Sequence, residues 1–200
     1  MTKTVDFIFD FGSPNAYLAY RVLPSILERT GAKMKLIPSL LGGIFKATNN
    51  QSPMMAFGGV KGKLEYENLE TRRFIKKHGL TAFKMNPHFP VNTLTLMRGA
   101  IHAEREGILD AYVEAGLKAM WEDGQKMDDA EVFVSVMNEA GLDGAAILAG
   151  TQEPDVKAGL IANTEAAVGR GVFGIPTFFV GDEMFFGKNT LGDVEEALGI

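Results

Sequence analysis

The spacing of hydrophobic positions changes twice along the chain and divides it into three stretches. Val5 to Phe11 is dense in β-branched and aromatic residues, interrupted by Asp6 and Asp10, and predicts a strand. Gly12-Ser13-Pro14 follows, with serine suited to a helix N-cap and proline to the first helical turn. Ala16, Leu18, Ala19, Val22, Leu23 and Ile26 then supply one apolar helical face, which Pro24 should kink or shorten and Gly31 ends. Met34 to Ser39 predicts a second strand, so the first 39 residues read β-α-β.

The middle stretch has helical periodicity. Leu40 to Gly62 reads as loop because of its glycine and asparagine breakers. A charged helix is predicted from Leu64 to His78, stopped by Gly79, and residues 82–92 form an ordered loop with two prolines. Helices are predicted at about 92–107, 109–123, 129–140 and 143–150, and another from Pro154 to near Gly169. Leu109, Val113, Leu117 and Met120 mark one such face. The last stretch returns to strands: Thr177 to Val180, a Gly181-Asp182 hairpin turn, then Glu183 to Phe186. Asn189 or Thr190 caps a final helix through Leu198. The order β-α-β, helical block, β-β-α makes this an α/β protein.

Composition removes several classes of chemistry. With 200 residues, 46% of them hydrophobic and 14 phenylalanines, the chain can bury a sizeable core. A net charge of −5 and the lack of a basic run argue against a nucleic-acid partner. No cysteine is present, which excludes disulfides, thiolate metal sites and a cysteine nucleophile together. The N-terminus lacks the pattern of a signal peptide. No apolar run approaches the roughly 20 residues that span a bilayer. A cytoplasmic protein without membrane or metal is the expectation.

Three matches to familiar motifs fail on context. Gly169 to Gly174 fits G-x-G-x-x-G but follows a helix and precedes a strand, the reverse of a dinucleotide fingerprint. Asp10-Phe11-Gly12 has too little chain before it for a kinase nucleotide lobe, and Gly62-Lys63 lacks the rest of a phosphate loop. His78, His88 and His102 have no metal spacing; His78 suits a helix C-terminus, and His88 alone lies in the proline-rich loop. Ser13 has two readings. It is a good N-cap, and it also sits where unpaired N–H groups and a partial positive charge would stabilise a thiolate. With no cysteine in the chain, that thiol would have to come from a ligand. At the other end, Ile175-Pro176 precedes an apolar strand; a cis bond there, the minority state for X-Pro, would free the Ile175 backbone to bind a peptide-like ligand.

With these residues in hand, the chain resembles the thioredoxin fold as arranged in DsbA-type oxidoreductases, with Ser13-Pro14-Asn15-Ala16 where those carry C-x-x-C. DFGSPNAYLA, PHFPVNTLTLMRGA and VFGIPTFFVGDEMFFGKNTL together resemble the 2-hydroxychromene-2-carboxylate isomerase family, whose relatives are the kappa-class glutathione transferases. The resemblance implies a discontinuous thioredoxin-like domain, residues 1–40 with 170–200, and a helical insertion, residues 41–169, that includes the loop 41–62. It implies glutathione as cofactor, with Ser13 donating a hydrogen bond to its sulfur. Ile175, before an expected cis-Pro176, matches the residue that binds the cysteinyl part, and Phe186, Gly187, Lys188 and Asn189 match the γ-glutamyl segment. Lys46 matches a lysine near the substrate carboxylate, and Asn50, Met55 and Phe89 fall in the substrate pocket.

The chain departs from the family pattern at three places. Asn189 stands where an aspartate is common, Phe89 where a tyrosine contacts substrate, and Met54-Met55 where an asparagine lies. The implied activity is a glutathione-dependent cis-trans isomerisation of an aromatic-degradation intermediate or similar unsaturated keto acid. A kappa-like glutathione transferase and a non-catalytic thioredoxin-fold binder are the alternatives. A disulfide oxidoreductase is excluded, because the chain has no thiol. A homodimer stays open, since such relatives commonly dimerise.

Overall fold

A computed structural model describes residues 3–199. Its centre is one four-stranded mixed sheet in the order β2-β1-β3-β4, built from β1 (Thr4–Phe9), β2 (Lys33–Pro38), β3 (Thr177–Val180) and β4 (Glu183–Phe186). β1 runs parallel to β2 and antiparallel to β3, and β3 pairs antiparallel with β4. The sheet therefore joins residues 4–38 to the last stretch of the chain across everything between them. β1 holds the middle because Val5, Phe7, Ile8 and Phe9 are all buried, the pattern of a strand covered on both faces. Phe7 and Phe178 are register partners whose rings stack 5.1 Å apart. An aromatic cross-strand pair of this kind adds to the hydrophobic gain of burying both rings.

Helix α1 (Pro14–Thr30) begins on the Ser13 cap and ends at Gly31, whose φ of +66° is the left-handed conformation glycine adopts freely. It runs straight through Pro24, which neither shortens nor ends it. Pro24 lies on the exposed face of the helix, away from its buried residues. The final helix α10 (Leu191–Leu198) packs against α1 and β3. A 3-10 turn, Lys188–Thr190, leads into it. Thr190 takes the N-cap position, but its hydroxyl donates to the Gly187 carbonyl at 2.9 Å instead of capping.

The segment read as loop over 40–62 is largely helical: α2 (Leu41–Thr48) and α3 (Pro53–Phe57) occupy it. The glycines Gly42-Gly43 do not break α2, because tertiary contacts override their low helix preference. A Cβ on Gly43 would stand 3.0 Å from the Thr164 methyl, so glycine lets α2 pack closely. Ile44 is fully buried, and the Leu41 N–H is satisfied by a side chain from β1. Helices α4 (Lys63–His78), α5 (Leu94–Arg105), α6 (Leu109–Trp121), α7 (Ala130–Glu139), α8 (Gly144–Gly150) and α9 (Pro154–Gly169) follow the predicted pattern. α5 and α9 pack on β2, and α9 also receives α2. Between α4 and α5 the loop is ordered by Asn86, whose buried amide donates to the carbonyls of Met120 and Gln125 at 2.9 Å each. No described helix is long and apolar enough to cross a membrane.

Candidate functional site

Ser13, Asp10 and the segment around Ile175 gather at the C-terminal end of β1. There the chain turns through Asp10-Phe11-Gly12 into α1, and Ser13 is fixed in an extended conformation at φ −96°, ψ 111°. Its hydroxyl oxygen accepts the Ala16 N–H at 3.2 Å, which satisfies one of the orphan donors of the helix end. The same hydroxyl donates its proton to the Ile175 carbonyl at 3.2 Å, across 162 residues of sequence. Ser13 is 5% exposed. The Ile175-Pro176 bond is cis, the arrangement the sequence left as the minority state. The Pro176 carbonyl accepts the Gly187 N–H at 2.9 Å, and the Thr177 hydroxyl donates to the Gly174 carbonyl at 2.8 Å. Serine and the segment 174–177 thus face each other as two fixed walls.

The turn beneath them is buttressed from the helical block. Trp121, fully buried at the end of α6, donates its indole N–H to the Phe11 carbonyl at 2.8 Å. Gly116 lies flat against the Phe11 ring, where a Cβ would come within 2.6 Å.

Asp10 stands at this turn without having been singled out as a site residue in the sequence. It appeared there as an interruption of an apolar strand. In the structure it is 1% exposed and accepts three hydrogen bonds: from Gly12 N–H at 2.8 Å, the Thr93 hydroxyl at 2.7 Å and Leu41 N–H at 2.8 Å. Burial pushes its carboxyl above the usual range, and the three donors pull the other way. A carboxylate inside an apolar run was the available signal, since such a charge is tolerated in a core only when fully bonded.

The other expected residues divide into two groups. Phe186 pairs with Thr177, its ring lies against Gly174, and it packs on Phe173 at 4.5 Å. Gly187 is tied to Pro176, as above. Asn50 donates its amide to the Phe173 carbonyl at 2.8 Å and so clasps the end of α2 to this wall. These join Ser13, Ile175 and Pro176 in one neighbourhood, and Phe173 enters it without having been foreseen.

Lys188 is buried at 6% exposure; its ammonium lies 5.7 Å from the Phe74 ring of α4. Burial lowers its pKa, with Glu70 and Glu67 opposing that shift. Asn189 is exposed. Lys46, in the last turn of α2, and Met55, 74% exposed on α3, both face solvent with no hydrogen bond to the group around Ser13. Phe89 packs on Trp121 at 6.0 Å. His88 is exposed, and no cluster fit for a metal occurs among the described residues. A cavity of about 560 Å³ at the opposite end of β1, lined by Lys3, Thr4, Asp6 and Phe179, holds none of these groups.

Such an arrangement offers an anionic atom a hydroxyl donor and the N-terminus of a 17-residue helix. Beside it lies the Ile175 backbone, just ahead of β3 and next to the cis bond to Pro176.

Comparisons with known proteins agree with this architecture. The model of the DSBA-like thioredoxin domain matches residues 4–199. The 2-hydroxychromene-2-carboxylate isomerase of Pseudomonas putida is 30% identical, over 98% of this chain and 94% of its own. That of Sphingobium xenophagum is also 30% identical, with 99% of each chain covered. The rat glutathione S-transferase kappa 1 is 25% identical over 88% of this chain and 80% of its own. Among solved structures, a 2-hydroxychromene-2-carboxylate isomerase superposes with a TM-score of 0.82 at 29% identity, covering 98% of this chain and 94% of that one. A probable DsbA oxidoreductase from Streptomyces coelicolor, at 20% identity and a TM-score of 0.72, shares the fold. The chain belongs to the 2-hydroxychromene-2-carboxylate isomerase family, built on the DSBA-like thioredoxin domain and related to the kappa-class glutathione transferases.

Proposed function

We propose that the protein is a glutathione-dependent cis-trans isomerase of an unsaturated aromatic keto acid, of the kind its relatives' name describes. The observation that carries the reading is the Ser13 hydroxyl at the start of α1, bonded to the carbonyl of Ile175. A sulfur placed beside Ser13 would receive that hydroxyl's hydrogen bond and the field of the helix N-terminus, both of which favour thiolate over thiol. When Ser13 turns its proton toward the sulfur, the Ile175 carbonyl is released to accept an N–H from the cysteinyl part of the ligand. One residue pair therefore serves as lock and receiver.

When bound, glutathione would supply a thiolate for reversible addition to a conjugated double bond, the chemistry that permits rotation about that bond. The chain's part is to hold the sulfur ionised, to orient it with the Ile175 backbone, and to stabilise the negative charge that shifts to the substrate oxygen. Lys46 is the cation we assign to that charge. Phe186, Gly187, Lys188 and Asn189 would line the γ-glutamyl end, while Asn50, Met55 and Phe89 would shape the substrate side. The reading places the protein in the cytoplasm, where thiols stay reduced. A homodimer is compatible with it.

The test is a thiolate difference spectrum on titration with glutathione near neutral pH, with Ser13→Ala as control. A saturable signal that Ser13→Ala abolishes is expected, together with loss of most turnover on chromene and benzylidene-pyruvate substrates, on the order of a hundredfold or more. Glutathione that is consumed during the reaction would replace the isomerase with a kappa-like transferase. No signal even with glutathione in large excess would leave a binding protein.

A further inference from the structure

Three helix N-termini meet at one buried carboxylate. Asp10 accepts the Leu41 N–H, which is the first turn of α2, a helix whose N-cap Leu40 offers no side-chain cap. It accepts the hydroxyl of Thr93, the N-cap residue of α5. It accepts the N–H of Gly12, in the turn that opens α1. Gly12 fits closely here: a Cβ there would meet the Thr93 methyl at 3.2 Å and the Asp10 carboxylate at 3.3 Å, so these side chains would have to give way. Among the described residues no lysine, arginine or histidine pairs with Asp10; its partners are these three dipolar donors.

We propose that Asp10 is a positioning residue and the fixed counter-charge of the Ser13 niche, setting how strongly the site stabilises a thiolate held there. This rests on reading that niche as a thiolate site. Each helix end carries roughly half a positive charge, so three together would make a strongly positive pocket, and one full negative charge offsets most of it. What remains favours an anion at Ser13 moderately. Reversible addition needs that moderation, because a thiolate loses nucleophilicity as its pKa falls. Two of these hydrogen bonds, from Gly12 and Leu41, tie α2, which bears Lys46, to the turn that bears Ser13.

The chain has no cysteine, so Ser13→Cys introduces a single thiol whose ionisation can be followed by its ultraviolet absorbance, without glutathione. Failure of the cofactor reading would leave this measurement intact. Adding Asp10→Asn removes the charge and should lower the introduced thiol's pKa by about one unit, a tenfold rise in the thiolate-to-thiol ratio. Adding Thr93→Val instead loosens the same cluster but keeps the charge, and should not lower it.

A pKa that stays put or rises in the Asp10→Asn background overturns the proposal, as does an equal fall in both backgrounds. A reciprocal measurement leaves Asp10 itself unchanged. Followed by carboxyl NMR, Asp10 should titrate about one unit higher in Ser13→Asp than in Ser13→Asn, since coupling acts equally on both partners. Identical titrations there would overturn it even if the Asp10→Asn chain did not fold.

Discussion

The two sides of the candidate site are built to different standards. On the Ser13 side, Asp10 and Ser13 are buried, and Trp121 and Gly116 pack against the intervening turn. On the other side, α3 has no buried residue, and Met54, Met55, Phe57 and Val60 are 62%, 74%, 38% and 52% exposed. A clasp from Asn50 to the Phe173 carbonyl ties this wall to the rest. The difference fits the division of labour proposed here. A group that tunes a thiolate works through preorganised dipoles and loses its effect if they move. A wall that receives an apolar ring needs mainly accessible hydrophobic surface, which methionine provides without a fixed shape.

Breaking the rigid side should cost most. Trp121→Ala removes a fully buried indole and its bond to Phe11, and should destabilise the protein by about 3–5 kcal/mol in urea unfolding. A loss below about 1 kcal/mol would mean that the turn stands without its buttress, and the contrast between the two sides would disappear.

Lys188 sharpens the comparison at the border between the sheet end and α4. Its pKa is lower in the folded protein than in the unfolded chain, so between that depressed value and the ordinary one the unfolded state binds the extra proton. Stability should therefore rise as pH climbs through that window and fall as pH drops back through the folded pKa. The slope is at most about 1.4 kcal/mol per pH unit. Lys188→Met should flatten that dependence in melting curves taken from neutral to alkaline pH; an unchanged slope would assign it to other groups.

The smallest stability effect belongs to the open wall. Converting Met54 and Met55 together to serine should change unfolding free energy by no more than about 0.5 kcal/mol. The same change should raise KM for an aromatic substrate while leaving the thiolate signal of bound glutathione in place. Loss of the thiolate signal would show that the two sides are not separable.

The sequence carried the outer elements well because their signals are local. Ser13-Pro14 and Gly31 bound α1, Gly181-Asp182 marks the hairpin, and the helical block follows its apolar period. Where it misled, the deciding contacts are distant. Gly42-Gly43 looked like a break, yet Gly43 fits against Thr164 on α9 and Leu41 is bonded by Asp10, 31 residues away. Asp10 looked like a flaw in a strand, because its partner Thr93 lies 83 positions further on. Local sequence makes Ser13 a helix cap at a place that would favour a thiolate; its bond to Ile175, 162 positions away, has no local signal. Phe173 gave no signal, since its role depends on Phe186 folding back across the hairpin.

The bond from Ser13 to Ile175 also has a history in time. Its two ends are separated by 162 residues, and β3, the neighbour of the central strand, follows the later one. At ordinary rates of synthesis, roughly ten to thirty seconds pass between the appearance of the serine and that of its partner. Throughout that interval β1 has an open edge on the side that β3 will occupy. A nascent chain can build α1 and much of the helical block, but it owns no site until the closing hairpin arrives. Any chain released before Ile175 would therefore be inert as well as unfinished.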